Sequence, residues 1–119
     1  MSSTVTALID SLRSSIPMVI RVAPASGDYL EGVMSRQELQ RCYTLLAEAF
    51  GQPAKEFGQT TSFQREQQKL IDQLGGIRLD QCLFLKPGAD GEVAYAALWP
   101  WASDATRVTL KVGVASIAT

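Results

Sequence analysis

Three sets of residues in this 119-residue chain have types that could do chemistry: the cysteines Cys42 and Cys82, the charged pair Arg78 and Asp80, and the aromatic triplet Trp99-Pro100-Trp101. The chain has no histidine, which removes the commonest general base near neutral pH and the commonest zinc ligand. Two cysteines far apart in sequence form no CxxC pair and cannot alone make a structural zinc site. Cys42 falls on the apolar stripe of an expected helix and Cys82 in an expected strand, so both read as small core residues with inert thiols. Asp80 stands near Arg78 and, across two strands, near Lys111. Such a cluster could hold an anion or move a proton, although a surface ion-pair group is the plainer reading. Gly27, Gly32, Gly58, Gly75 and Gly76 fit neither a GxGxxG fingerprint nor a phosphate loop, and each is explained by a turn or a helix end. On these grounds no catalytic residue, metal-ligand set or cofactor site is assigned.

The aromatic residues carry the ligand-binding candidates. Tryptophan beside a turn is suited to anchoring a partner. Trp99 alternates onto the expected core face, whereas Trp101 fits core and contact equally. Tyr29, Phe57 and Trp101 are the residues that could line a pocket between sheet and helices.

The elements that must position these residues are dominated by 77–117, which reads as a three-stranded antiparallel meander. Ile77, Leu79, Leu83 and Leu85 alternate with Arg78, Asp80, Cys82, Phe84 and Lys86, the period of a strand. Lys86-Pro87-Gly88-Ala89-Asp90-Gly91 is turn chemistry, and Glu92 to Trp99 is the return strand. Placing Lys86 opposite Glu92 pairs opposite charges and sets Val93 against Leu85, Tyr95 against Leu83 and Trp99 against Leu79. Pro100 closes the strand, since it cannot donate to the ladder. Arg107 to Ile117 follows, and pairing Trp101 with Thr106 sets Trp99 against Val108 and Tyr95 against Val112. These registers gather the large apolar residues on one face. The second face then carries Cys82, Phe84, Ala94, Ala96, Leu98, Gly113 and Ala115, too apolar to be left in water. Its cover is a helix of this chain, a second copy, or another protein.

Upstream, Val5, Leu8, Ile9, Leu12 and Ile16 recur at helical spacing until Pro17. Met18 to Ala23 and Tyr29 to Met34 read as strands of a hairpin, with Gly32 marking a weak point or bulge. Ser35-Arg36-Gln37-Glu38 is a capping box. Leu39, Cys42, Tyr43, Leu46 and Phe50 form the stripe of the next helix, and Gly51 suits its end. After a loop over 52–61, Thr61 or Ser62 caps a third helix with Phe63, Gln67, Leu70, Ile71 and Leu74 on one side. The order α-β-β-α-α-β-β-β predicts a single α+β domain over 1–119, with about five mostly antiparallel strands and three helices.

Composition bounds the function. Hydrophobic residues make up 46% of the chain and the formal net charge is −1. That supports a packed core and argues against nucleic-acid binding through bulk positive potential. No charged-then-apolar leader and no run of roughly 18 apolar residues is visible, and unpaired cysteines suit a reducing cytoplasm. The leading expectation is a non-enzymatic interaction or assembly module, a homodimer or a binder of another protein, using the sheet face at Phe84, Ala94, Ala96, Leu98 and Gly113. The alternative is a small-molecule-binding or sensing domain. A histidine-free enzyme using carboxylates with Arg and Lys ranks third.

Overall fold

The computed structural model describes residues 3–59, 65–73, 76, 78, 80–87 and 91–116. Its elements are α1 (Ser3–Ser15), β1 (Met18–Val22), β2 (Leu30–Ser35), a 3₁₀ turn (Arg36–Glu38), α2 (Leu39–Phe50), α3 (Arg65–Gln73), β3 (Cys82–Pro87), β4 (Glu92–Pro100) and β5 (Arg107–Ser116). The order is the one the sequence predicts, and the class is α+β. All five strands join one open antiparallel sheet in the order β1-β2-β5-β4-β3. The N-terminal hairpin therefore docks on β5, with Leu30 opposite Val112 and Met34 opposite Val108.

Each face of the sheet has its own helical cover. On one face, Val5, Leu8, Ile9, Leu12 and Ile16 of α1 and Cys42 and Leu46 of α2 pack on Leu30, Met34, Cys82, Phe84, Ala96, Leu98, Val108, Leu110 and Val112. On the other, Leu70 of α3 packs with Val93 and Tyr95, and Ile71 with Leu83 and Ala97. The central residues of β3 and β4 are thus apolar on both sides, as strands covered twice must be.

Two expected registers change. Lys86 lies opposite Ala94 rather than Glu92, and Leu85 opposite Tyr95 rather than Val93. That shift is even, so every side chain keeps its face. The β4–β5 shift is odd. Trp99 pairs with Thr109, Tyr95 with Gly113 and Leu98 with Leu110, which turns β5 over relative to the expectation. Val108, Leu110 and Val112 consequently join Cys82, Phe84, Ala96 and Leu98, while Val93 and Tyr95 face α3. The cause lies at the turn. Asp104 accepts the Thr106 amide at 2.9 Å and its hydroxyl at 2.6 Å, which draws Thr106 into the turn. Trp101 then donates its amide to Arg107 O at 3.0 Å instead.

The first meander strand also starts later than expected. Gln81 N bonds Arg78 O at 3.0 Å, and Arg78 N bonds Gln81 Oε1 at 2.7 Å. This closes a turn where alternation suggested a ladder. Ile77, Leu79, the caps Thr61 and Ser62, and Phe63, Leu74 and Gly75 lie outside the described residues. At Ser35 the hydroxyl accepts Gln37 N at 3.3 Å and caps the 3₁₀ turn that leads into α2. Glu38 sits beside Arg41 at 3.7 Å.

Candidate functional site

An open cleft of about 950 Å³ is the site that best unites the sequence candidates. Its walls come from four places in the chain: Arg36 in the 3₁₀ turn with Leu39 at the start of α2, Phe57 and Gly58 in the loop after it, Arg78 and Asp80 in the turn before β3, and Pro100, Trp101, Ala102 and Ala105 at the β4–β5 turn. A narrower hollow continues from Arg78 and Trp101 to Gln81, Trp99, Ser103 and Thr109.

Local hydrogen bonds hold each wall. Trp101 donates its indole N–H to Thr109 Oγ1 at 2.7 Å, and the Arg107 guanidinium stands 5.7 Å from its ring centre. Asp104 grips Arg107 Nε at 3.2 Å, and its hydrogen bonds to Thr106 and the nearby Arg107 charge hold its carboxyl below the usual range. Arg36 donates its amide to Thr106 O at 2.8 Å, tying the start of α2 to the same turn.

The Phe57 wall rests on a cluster that sequence reading missed. Glu56 accepts the Tyr43 hydroxyl, the Phe57 amide at 3.1 Å and the Cys82 thiol at 3.8 Å. The Phe57 ring stands 6.5 Å from that of Tyr43, which meets Phe84 edge-on at 5.4 Å. Beside it, Lys55 is only 4% exposed. Its Nζ donates to Gln81 O at 2.6 Å and Glu56 O at 3.1 Å, and its backbone bridges Leu83 through bonds of 3.1 and 2.9 Å. Burial lowers the Lys55 pKa, opposed by neighbouring acidic groups including Asp80. These carbonyl bonds make the amine a fastener between loop and turn. The one sequence signal was a Lys-Glu pair in a short loop between Pro53 and Phe57.

Of the expected ligand-site residues, Phe57 and Trp101 line the same cleft and Tyr29 does not. Tyr29 packs by α3 with Val93 and Tyr95, and donates its hydroxyl to Glu31 Oε1 at 3.0 Å. Burial, then that hydrogen bond, raises its pKa. Arg78 and Asp80 do share a site, but Lys111 does not join them. Its Nζ lies 4.1 Å from the ring centre of Trp99, a cation–π contact. Trp99 packs at the edge of the Ile71 cluster, and its buried indole N–H has no hydrogen-bond partner among the described residues.

The expected interface residues are placed differently from that expectation. Phe84, Ala96 and Leu98 have no exposed surface and lie under α1 and α2, with Ala94 packed at the margin. Gly113, opposite Tyr95, takes the other face. The cover of that face is therefore the chain's own helices, and the five residues do not form one free surface. Cys42 and Cys82 are buried free thiols. Burial pushes Cys42 up to about 12, and burial with the Glu56 charge does the same to Cys82, so neither supplies a thiolate at neutral pH. Among the described residues no group of three or more metal-binding side chains is present, and no helix is long and apolar enough to cross a membrane. Comparison with protein-family models, curated proteins and solved structures finds no match for this chain.

Proposed function

We propose that this chain is a non-enzymatic binding domain whose cleft takes a small ligand carrying an anionic group and a flat apolar part. The observation that carries the reading is the meeting of Phe57 and Trp101, remote in sequence, in one cleft with the arginines Arg36 and Arg78. Among the described residues neither guanidinium makes an ion pair. Arginine presents a planar fork matched to a carboxylate or phosphate, and an aromatic wall with a few polar groups is the usual make-up of a ligand pocket. Asp80 leaves the lining with one net positive charge and gives a place for a donor on the ligand. The occupation of the Phe84 face by α1 and α2 favours this reading over assembly through that face.

A tryptophan-fluorescence titration with a panel of aromatic carboxylates, each beside its neutral amide, tests the proposal. Saturable quenching by the carboxylates is expected, and it should be lost in Trp101→Ala and weakened at least about tenfold in Arg78→Glu, the scale of a charge-assisted hydrogen bond. No saturable change with any carboxylate, or wild-type affinity in both Arg36→Glu and Arg78→Glu, would overturn it.

A further inference from the structure

The two edges of the sheet are finished differently. The β3 edge is capped, because Lys55 bridges Leu83 on its outer side through two backbone hydrogen bonds. The β1 edge has no such cap among the described residues. It is also where the exposed large hydrophobic residues of the described chain collect: Val19 is 66% exposed, Val22 44% and Ile20 37%. An edge strand offers a row of backbone donors and acceptors to another strand, and proteins usually blunt it with lysine, proline or a covering loop. Here the blunting is partial. Pro17 precedes the strand, and a register shift between Ile20 and Val22 bends its far end, leaving Met18 to Ile20 as the regular stretch.

We propose that β1 pairs antiparallel with β1 of a second copy, joining two five-stranded sheets across a two-fold axis at Val19. This inference stands on the edge alone and does not depend on the cleft. The strand is self-complementary about that point. Val19 then meets its own copy and Met18 meets Ile20, both inside the regular stretch, and such cross-strand apolar pairs stabilise a ladder. The sole charge of β1, Arg21, lies two residues from the axis. The two copies of Arg21 are thereby roughly 13 Å apart at 3.3 Å per residue, beyond the screening length in ordinary salt. An axis at Arg21 would instead set like charges face to face. A standard interface buries roughly 1,200–2,000 Å², and a five-residue strand buries less, so the dimer is concentration-dependent.

Sedimentation of the full chain over a concentration series tests this. The weight-average mass should climb from 12.9 kDa toward twice that value. Val19→Lys, at an exposed position, should hold the mass at one chain with an unchanged circular dichroism spectrum. In the wild type, amide exchange at residues 18–20 should slow as concentration rises, a readout that needs no variant. A wild-type mass of one chain up to about 1 mM, the weak end of the affinity scale, overturns the proposal. So does a dimer that survives Val19→Lys.

Discussion

The carboxylate of Glu56 accepts the hydroxyl of Tyr43, fastening the loop after α2 to the helix it leaves. The same carboxylate takes the Phe57 amide at 3.1 Å, so one side chain sets the position of the aromatic wall of the cleft. Glu56→Ala strands these two donors and the Cys82 thiol. Leaving a half-buried donor unpaired costs about 1–3 kcal/mol, so the melting temperature should fall. The Tyr43 phenol, now pushed up to about 12 chiefly by the Glu56 hydrogen bond and then by burial, should move back toward 10. Absorbance titration of tyrosinate reads that shift, and an unmoved titration would show that Glu56 does not hold Tyr43.

Ala96 distinguishes internal cover from an open sheet face. It is fully buried, opposite Val112 and within the cluster that α1 and α2 close. Ala96→Glu forces an unpaired carboxylate under two helices, which costs about 3–5 kcal/mol by analogy with a broken buried pair. Denaturant unfolding should show this loss at every protein concentration. A stable, folded monomeric Ala96→Glu variant would mean the helices do not close this face.

The architecture was legible because each element carried its own local signal: the α1 stripe ending at Pro17, the Ser35 cap, and period-two alternation in β3 to β5. The β4–β5 register was not. Alternation fixes a register when one face is polar, but here α3 covers the Tyr95 side and α1 and α2 the Leu98 side. Val108 and Thr109 could each oppose Trp99 without an obvious penalty, and the Asp104 turn made the choice. The cleft was half legible. Phe57 and Trp101 stood out as aromatics near turns, whereas Arg36 read only as part of a cap. Lys55 and Glu56 lay in a loop with no periodicity to mark them as buried. Nothing short of tertiary structure separates Tyr29 from that pair.

Gly113 is where β5 passes beneath two tyrosines. A Cβ there would stand 2.8 Å from Tyr95 Oη and 2.9 Å from Tyr29 Cδ1. Both rings are packed against Val93 and Leu70, so Gly113→Ala should cost about 1–3 kcal/mol as an overpacked core does. At Gly32 the nearest atom is Met18 Sδ at 2.7 Å, on a flexible side chain that can swing aside, and the nearest backbone atom, Val19 O, stands farther off at 3.3 Å. Gly32→Ala should therefore destabilise less than Gly113→Ala. Parallel thermal melts check the order, and the reverse order would place the tight contact at β1 rather than under α3.

Stability should fall as pH rises from about 9 toward about 12. Burial raises the Cys42 thiol from 9.0 to about 12, and burial with the Glu56 charge raises Cys82 likewise. The Glu56 hydrogen bond leads the rise of Tyr43 from 10.0 to about 12. In the unfolded chain the thiols release protons from about pH 9 and the phenol from about pH 10, while the folded chain keeps all three to about pH 12. Over that window the unfolded state binds fewer protons, so stability falls as pH rises. The contribution is whole below about pH 9 and lost progressively toward about pH 12. Denaturant midpoints measured across the window should decline. In Cys42→Ala the decline should be shallower, because one of the two raised thiols is gone. A midpoint that stays level from about pH 9 to about pH 11 would show that these groups ionise alike in the folded and unfolded chain.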